Sequence, residues 1–546
     1  MIVGMQTSRS PAAIHDTAGP GSDPFPVSGA SGRGWRHPVA VAALVLLWLA
    51  ATGWMRPFML PDEGRYVGVA WEMIRSGDWL TPTLNGLPFF HKPPLFYWIT
   101  AASMSVFGPH EWAARAASLL GGTIGATGLF LFVRRWRGER AAGLALVALL
   151  VQPLFYVGSQ FANLDMLVAG CITATILLAA DSVLSADRGL AHQPALLGAY
   201  AMAAFGVLAK GLIGAVLPAL VLLPWLLAMR RPGLVRALIS WRGMALFLLI
   251  AAPWFLAMEA RFPEFLDYFF VVQHFKRFTS GGFNNVQPFW FYPVVLALLS
   301  LPWLPWLSRL LTRGPAASAL GPVELLMLMW AGVVITFFSL PQSKLVGYVI
   351  PAVPPLAALM ALGFLRHSDP SPRTRRWWQA SAAVTVAVSL ATIAGLSLFP
   401  QNSTRGVALR LLQQRAPGDS VFMLGKFYGD VPLYARLGQP SEVVEDWLAA
   451  DLADHDDQRK ELADAGRFAP GLAASLLVTP ESLPSALCRT GFAWVIGPAD
   501  SAAAFPFLRS TSPAYTEGET ALWKVDSAAP GAMRNALGCE AGMARR

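Results

Sequence analysis

Asp62 and Glu63 stand side by side in Pro61-Asp62-Glu63-Gly64-Arg65-Tyr66, just beyond the first long apolar run of the chain. Paired acids there could take a proton from an acceptor hydroxyl, or help a cation organise a phosphate. Capping a helix is the competing role, since a helix N-terminus favours anions. Asp165, in Phe161-Ala162-Asn163-Leu164-Asp165-Met166, ends another apolar run with no cation near it in sequence. It too must be capped, paired or functional. Arg65, Lys92, Lys210, His274, Lys276, Arg277 and Lys344 are bases on the same side as Asp62, several of them at or inside the ends of apolar runs. Snorkelling to lipid headgroups accounts for any one of them, whereas an anionic ligand such as phosphate accounts for the whole set. His274 is a candidate ligand for a divalent metal of unknown identity, although a lone histidine serves equally as a hydrogen-bonding group. Lys344-Leu345-Val346-Gly347-Tyr348, with Pro351, Pro354 and Pro355 behind it, reads as a broken start to a span. Its freed backbone groups must face protein or a cavity.

The elements that position these residues belong to a membrane protein. Hydrophobic residues make up 55% of the 546 and charged ones 14%, against about 25% charged in a soluble domain. Mean hydropathy is +0.47. The net charge of +9 does not call for nucleic acid, because many arginines fall in short loops between apolar runs, where orientation signals sit. Eleven runs approach the length of a span: 39–54, 113–133, 141–157, 166–184, 195–209, 212–228, 244–258, 290–307, 323–340, 346–365 and 378–399. Stretches near 94–107 and 263–270 have room for further helices, so 11 to 13 are expected. The loops carrying Arg134 to Arg140, Arg188, Arg230 to Arg242, Arg309 and Arg313, and Arg366 to Arg376 fall on one side with the N-terminal tail. The positive-inside rule makes that side the cytoplasm. The Asp62 loop and everything after Pro400 are then outside.

Residues 1–37 are rich in Gly, Ser and Pro and read as a disordered cytoplasmic tail. Residues 38–399 form the membrane domain. Its outer loop, 56–112, is too patterned to be a simple connector: Tyr66, Val69, Ala70, Met73 and Ile74 recur at spacings of three and four. That spacing predicts an amphipathic helix lying on the membrane over 63–75, and 94–107 reads similarly. After Pro400 the apolar stretches shorten to strand size, at 420–424, 476–479 and 493–496, among charged runs. Residues 400–546 thus read as a small α/β domain on the outer side, with no nucleotide-binding glycine signature or metal-ligand spacing. Cys488 and Cys539 share that domain and can pair if the compartment is oxidising.

Asp62 to Tyr66, Ser76-Gly77-Asp78-Trp79, Asn85-Gly86 to His91-Lys92-Pro93-Pro94-Leu95, Glu111 to Arg115, Asn163-Leu164-Asp165, Leu208 to Gly211 and Ser343 to Tyr348 form a set. Together they resemble the GT-C superfamily of polyprenyl-phosphate-dependent glycosyltransferases, in the branch of the lipid A aminoarabinose transferases and the relatives of the protein O-mannosyltransferases. The resemblance covers about residues 39–365. It implies a sugar donor linked to undecaprenyl phosphate, a divalent metal in some members, and transfer at the periplasmic face of a bacterial inner membrane to a lipid such as lipid A, a glycan or a protein. Carried over by motif, Asp62, Asp165 and Glu63 are the catalytic acids. Arg65, Tyr66, Lys92, Lys210, Lys344 and Tyr348 contact the donor phosphate. His91 departs from the acidic residue of the aminoarabinose branch before Lys-Pro-Pro, a departure that bears on the sugar and on the lipid A acceptor.

A transporter or flippase for a polyprenyl-linked sugar is the main alternative. It predicts an inverted repeat and charges deep within the spans, whereas here they gather at one face. A sensor or assembly protein accounts for the outer domain but not for paired acids beside a basic cluster.

Overall fold

The structure is a computed structural model describing residues 37–276, 285–311, 320–366, 371–400, 402–453, 457–529 and 531–539. The expected N-terminal tail lies outside the described residues, apart from its last position. Each of the eleven apolar runs is helical. Among the described residues six helices are long and apolar enough to cross a membrane: Ala116–Arg137, Leu164–Asp187, Trp241–Arg261, Pro322–Ser339, Val346–Leu365 and Pro372–Leu398. Two bent pairs raise the number to eight if each is one span: Glu139–Leu150 with Pro153–Ser159, at 68°, and Phe291–Leu299 with Leu301–Leu310, at 74°. Pro153 and Pro302 stand at these breaks, where the missing N–H and the ring clash stop a continuous helix. Pro38–Ala50 and Ile213–Ala228 are apolar but have 13 and 16 residues, short of the roughly 20 that span hydrocarbon. Gln193–Lys210 accounts for the remaining run.

Leu164–Asp187 is enclosed on nearly every side and anchors the bundle. It meets Ala116–Arg137 where Gly121 faces Gly170, and a Cβ on either glycine would collide with the other helix's backbone. Small residues permit this close approach, which is how helices gain packing contacts in lipid. At one end of the bundle, Arg135 pairs with Asp181 at 2.7 Å, Arg137 with Glu324 at 2.5 Å, and Arg231 with Asp187. The arginine-rich loops expected on a common side are tied to helix ends by these contacts.

At the other end sits the α/β domain. Its strands are β3 (Ser420–Leu424), β4 (Glu442–Val444), β5 (Leu477–Val478), β6 (Phe492–Pro498), β7 (Tyr515–Glu517) and β8 (Thr520–Asp526), counted after the hairpin β1 (Thr83–Leu84) and β2 (Leu87–Pro88) of the outer loop. The sheet order is β5-β4-β3-β6-β8-β7. Strands β5, β4, β3 and β6 run parallel, while β8 is antiparallel to both β6 and β7. Cys488 and Cys539 are joined by a disulfide.

The outer-loop helix Asp62–Ser76 forms as its spacing predicts, but it does not lie open on a membrane surface. The α/β domain covers it, so that Tyr66, Val69, Ala70 and Met73 are all buried. A Cβ on Gly64 would come within 2.8 Å of the Asp430 amide nitrogen, so the helix and the loop after β3 touch backbone to backbone. Arg75 donates to the Leu437 carbonyl at 2.6 Å, and the Phe58 N–H donates to the Tyr434 hydroxyl at 3.1 Å. Asn85 and Ser441 exchange two hydrogen bonds at 2.7 and 2.8 Å from the turn between β1 and β2. That turn places Asn85 and Gly86 at φ 53° and 77°, the left-handed pair a tight hairpin favours. The outer loop and the C-terminal domain therefore share one side of the bundle.

Candidate active site

Where the Asp62 helix, the membrane bundle and the α/β domain meet, they enclose a cavity of about 660 Å³. Asp62 is on its wall because it occupies the first turn of Asp62–Ser76, with its carboxylate 2.5 Å from an Arg65 nitrogen one turn on. Burial raises the Asp62 carboxyl above the ordinary aspartate range; Asp165 and Glu461 add to that push, and Arg65 and Lys210 oppose it. Asp165 begins Leu164–Asp187, where Asn163 caps the helix by accepting the Asp165 N–H at 3.0 Å. The Asp165 carboxylate pairs with Lys210, the last residue of Gln193–Lys210, and the Lys210 ammonium lies 4.4 Å from the centre of the Tyr348 ring. Gly347 admits this arrangement, since a Cβ there would strike an Asp165 oxygen.

Asp62, Asp165, Arg65, Tyr66, Lys92, Lys210 and Tyr348, named from sequence, are thus brought to one cavity. Two other expected residues are not. Glu63 is fully buried beside the cavity, held by Arg56, by Arg115 at 3.0 and 3.3 Å, and by the Met59 and Ala162 N–H groups at 3.0 and 2.8 Å. Burial alone would raise its carboxyl, but the Arg115 and Arg56 guanidiniums hold it down at about 2. Glu63 is a structural anion, because neighbouring residues of a helix point about 100° apart and only Asp62 faces the cavity. Lys344 is likewise turned away: its ammonium donates to the carbonyls of Gln287 at 2.7 Å, Gln342 at 3.5 Å and Pro341. It satisfies the freed backbone of the broken span in place of a ligand.

The side chain of His274 lies outside the described residues, as does Arg277. Among the described residues no group of three or more His, Cys, Asp or Glu is poised to hold a metal ion. In the cavity the Asp62 carboxylate carries Arg65 and the Asp165 carboxylate carries Lys210.

The α/β domain adds residues that the local motifs did not mark. Lys426, Asp457, Gln458 and Glu461 line the cavity, and Glu461 of the helix Gln458–Gly466 pairs with Arg65. Glu461 also lies 3.8 Å from His91, whose other ring nitrogen is 2.9 Å from the Tyr268 hydroxyl. In sequence Asp457 lies within the charged run 451–460 and Glu461 directly after it, a run that marks only the change in composition of the α/β domain. The described cavity wall sets Asp62, Asp165, Asp457 and Glu461 against Arg65, Lys92, Lys210 and Lys426, so its formal charges balance.

The cavity lies at one end of the helical bundle, under the α/β domain. Residues 91–256 match the family described as dolichyl-phosphate-mannose-protein mannosyltransferase. Undecaprenyl phosphate-alpha-4-amino-4-deoxy-L-arabinose arabinosyl transferase of Aeromonas salmonicida (strain A449) is 30% identical over 68% of this chain and 67% of its own length. A relative of the same description from Sodalis glossinidius (strain morsitans), transferase 1, is 34% identical over 62% of this chain and 60% of its own. The chain belongs to the family of these arabinosyl transferases. It spans about 60% of the length of the Sodalis relative. The crystal structure of ArnT from Cupriavidus metallidurans bound to undecaprenyl phosphate shares the fold, with a TM-score of 0.75 and 24% identity over 93% of this chain and 99% of that one.

Proposed function

We propose that this protein moves a sugar from a polyprenyl-phosphate donor, with undecaprenyl phosphate as the carrier, to a hydroxyl of a lipid, glycan or protein acceptor on the periplasmic side of a bacterial inner membrane. The observation that carries this reading is the joint opening of Asp62, Asp165, Arg65, Lys92 and Lys210 onto one cavity beside the bundle. Family membership supports the donor class. The disulfide between Cys488 and Cys539 supports an oxidising compartment for the capping domain, and with it the periplasmic side.

The chemistry follows from the wall. The acceptor oxygen attacks the anomeric carbon, a glycosidic C–O bond forms, and the bond from that carbon to the phosphate oxygen breaks. Undecaprenyl phosphate leaves with the bonding electron pair. Asp62 takes the hydroxyl proton, and its raised proton affinity makes it a stronger base than a solvated aspartate. Lys92 and Lys210 stabilise the charge that grows on the leaving phosphate, as preorganised cations do in an enclosed site. Asp165 orients Lys210. Arg65, shared between Asp62 and Glu461, reaches the phosphate when Glu461 gives way.

Mass spectrometry of envelope lipids and glycans from cells with and without the gene tests this reading. A glycosylated species present only with the gene supports it, and identical envelopes in a strain that makes the donor contradict it.

A further inference from the structure

A second cavity, of about 290 Å³, lies in the α/β domain outside the carboxyl ends of β3 and β4. It shares Lys426, Phe427, Asp457 and Gln458 with the larger cavity, so the two adjoin across one wall. Open α/β sheets take ligands outside the carboxyl ends of their parallel strands. Here that end is turned toward the site of transfer, because the loop after β3 both lines the two cavities and places Gly429 against Gly64. A hollow of about 160 Å³ at the opposite, amino ends of β3 and β4 shares no wall with the larger cavity.

The chemistry of the crevice suits a sugar. Trp447 has its indole N–H committed to the carbonyls of Val443 at 3.2 Å and Val478 at 3.1 Å, which fixes the ring plane; the half-buried ring packs on the apolar core and contributes to the crevice lining. Glu445, Lys426 and Gln458 add charged and amide hydrogen-bonding groups around it. A rigid aromatic face ringed by a few polar groups is how a concave site orients a hydroxyl-rich ligand. We propose that this crevice is the acceptor subsite, holding a saccharide of the acceptor while its hydroxyl reaches past Gln458 to Asp62. The proposal rests on the glycosyltransferase reading and names where the second substrate is recognised.

Glu445 lines the crevice but not the larger cavity, which makes it the position to test. Glu445→Trp fills the crevice and Glu445→Ala removes its carboxylate. Each variant is expressed in a deletion strain, and the full chain is also purified to measure binding of undecaprenyl phosphate. With Glu445→Trp, the glycosylated envelope species restored by the wild type falls about tenfold or more, the unused undecaprenyl-phosphate-linked sugar accumulates, and undecaprenyl phosphate binds as in the wild type. Glu445→Ala shifts the same quantities in the same direction by less. Wild-type product levels with Glu445→Trp overturn the subsite, as does an equal loss of undecaprenyl phosphate binding in both variants. A wild-type chain that restores no glycosylated species contradicts the glycosyltransferase reading itself and removes the subsite with it.

Discussion

Arg65 and Glu461 form an ion pair across 396 residues of sequence, joining the outer-loop helix to the α/β domain inside the cavity wall. Arg65 therefore meets two carboxylates, Glu461 and Asp62, before any donor arrives. On the proposed function, the donor phosphate competes with Glu461 for the same guanidinium. Glu461→Gln removes one competitor, and undecaprenyl phosphate should bind the purified chain about tenfold more tightly, the scale of one charge-assisted hydrogen bond. Titration of wild type and variant with undecaprenyl phosphate checks this; weaker binding in the variant would mean that Glu461 holds Arg65 ready and does not compete with the donor.

Asp62→Asn should abolish transfer while shifting thermal stability little, because it changes a cavity wall and no packed core. The wild-type rate should also depend on pH in a set direction. Burial first, and nearby Asp165 and Glu461 after it, raise the Asp62 carboxyl, while the base must be ionised to act. Activity should therefore fall as pH drops through a value above the ordinary aspartate range. A pH-rate profile that stays flat down to that range would remove Asp62 from the role of base.

Glu63 and its two arginines predict stability in place of turnover. Glu63→Ala leaves Arg56 and Arg115 buried without their anion, a change that costs about 3–5 kcal/mol in comparable buried pairs. A large drop in melting temperature of the detergent-solubilised chain is expected. The pH sign follows from the depressed carboxyl: its contribution is whole above the unfolded value near 4.5 and is lost as pH falls toward about 2. Unchanged melting in Glu63→Ala would contradict the structural role.

Gly64 meets the loop after β3 with no room for a side chain. Gly64→Val should push the α/β domain off the Asp62 helix and open both cavities while leaving each part folded. Faster proteolysis near residues 425–430, with transfer lost, is the expected outcome. Wild-type proteolysis and activity would show that the domains do not need this contact.

Much of this arrangement was legible in the sequence because it rests on local pattern. The apolar runs gave helices, short apolar stretches gave β3, β5 and β6, and Cys488 with Cys539 marked a possible staple. Spacing marked the outer-loop helix but not its cover, because amphipathic periodicity looks the same against lipid and against a domain. Asp62 and Glu63 look alike as letters, and only the helical rotation between adjacent residues separates a cavity-wall carboxylate from a buried counterion. Lys344 carried the same ambiguity, resolved by three carbonyls of its own neighbourhood. Glu461 could not be found locally, since its partner is 396 residues away and nothing in its charged run distinguishes it.

On the proposed function these cavity cations hold the donor's phosphate, and binding of undecaprenyl phosphate to purified wild type and Lys92→Met tests that role most directly. Loss of one charge-assisted contact of about 1.5–3 kcal/mol predicts roughly ten- to hundredfold weaker binding in the variant. Equal affinity in the two proteins would contradict the assignment.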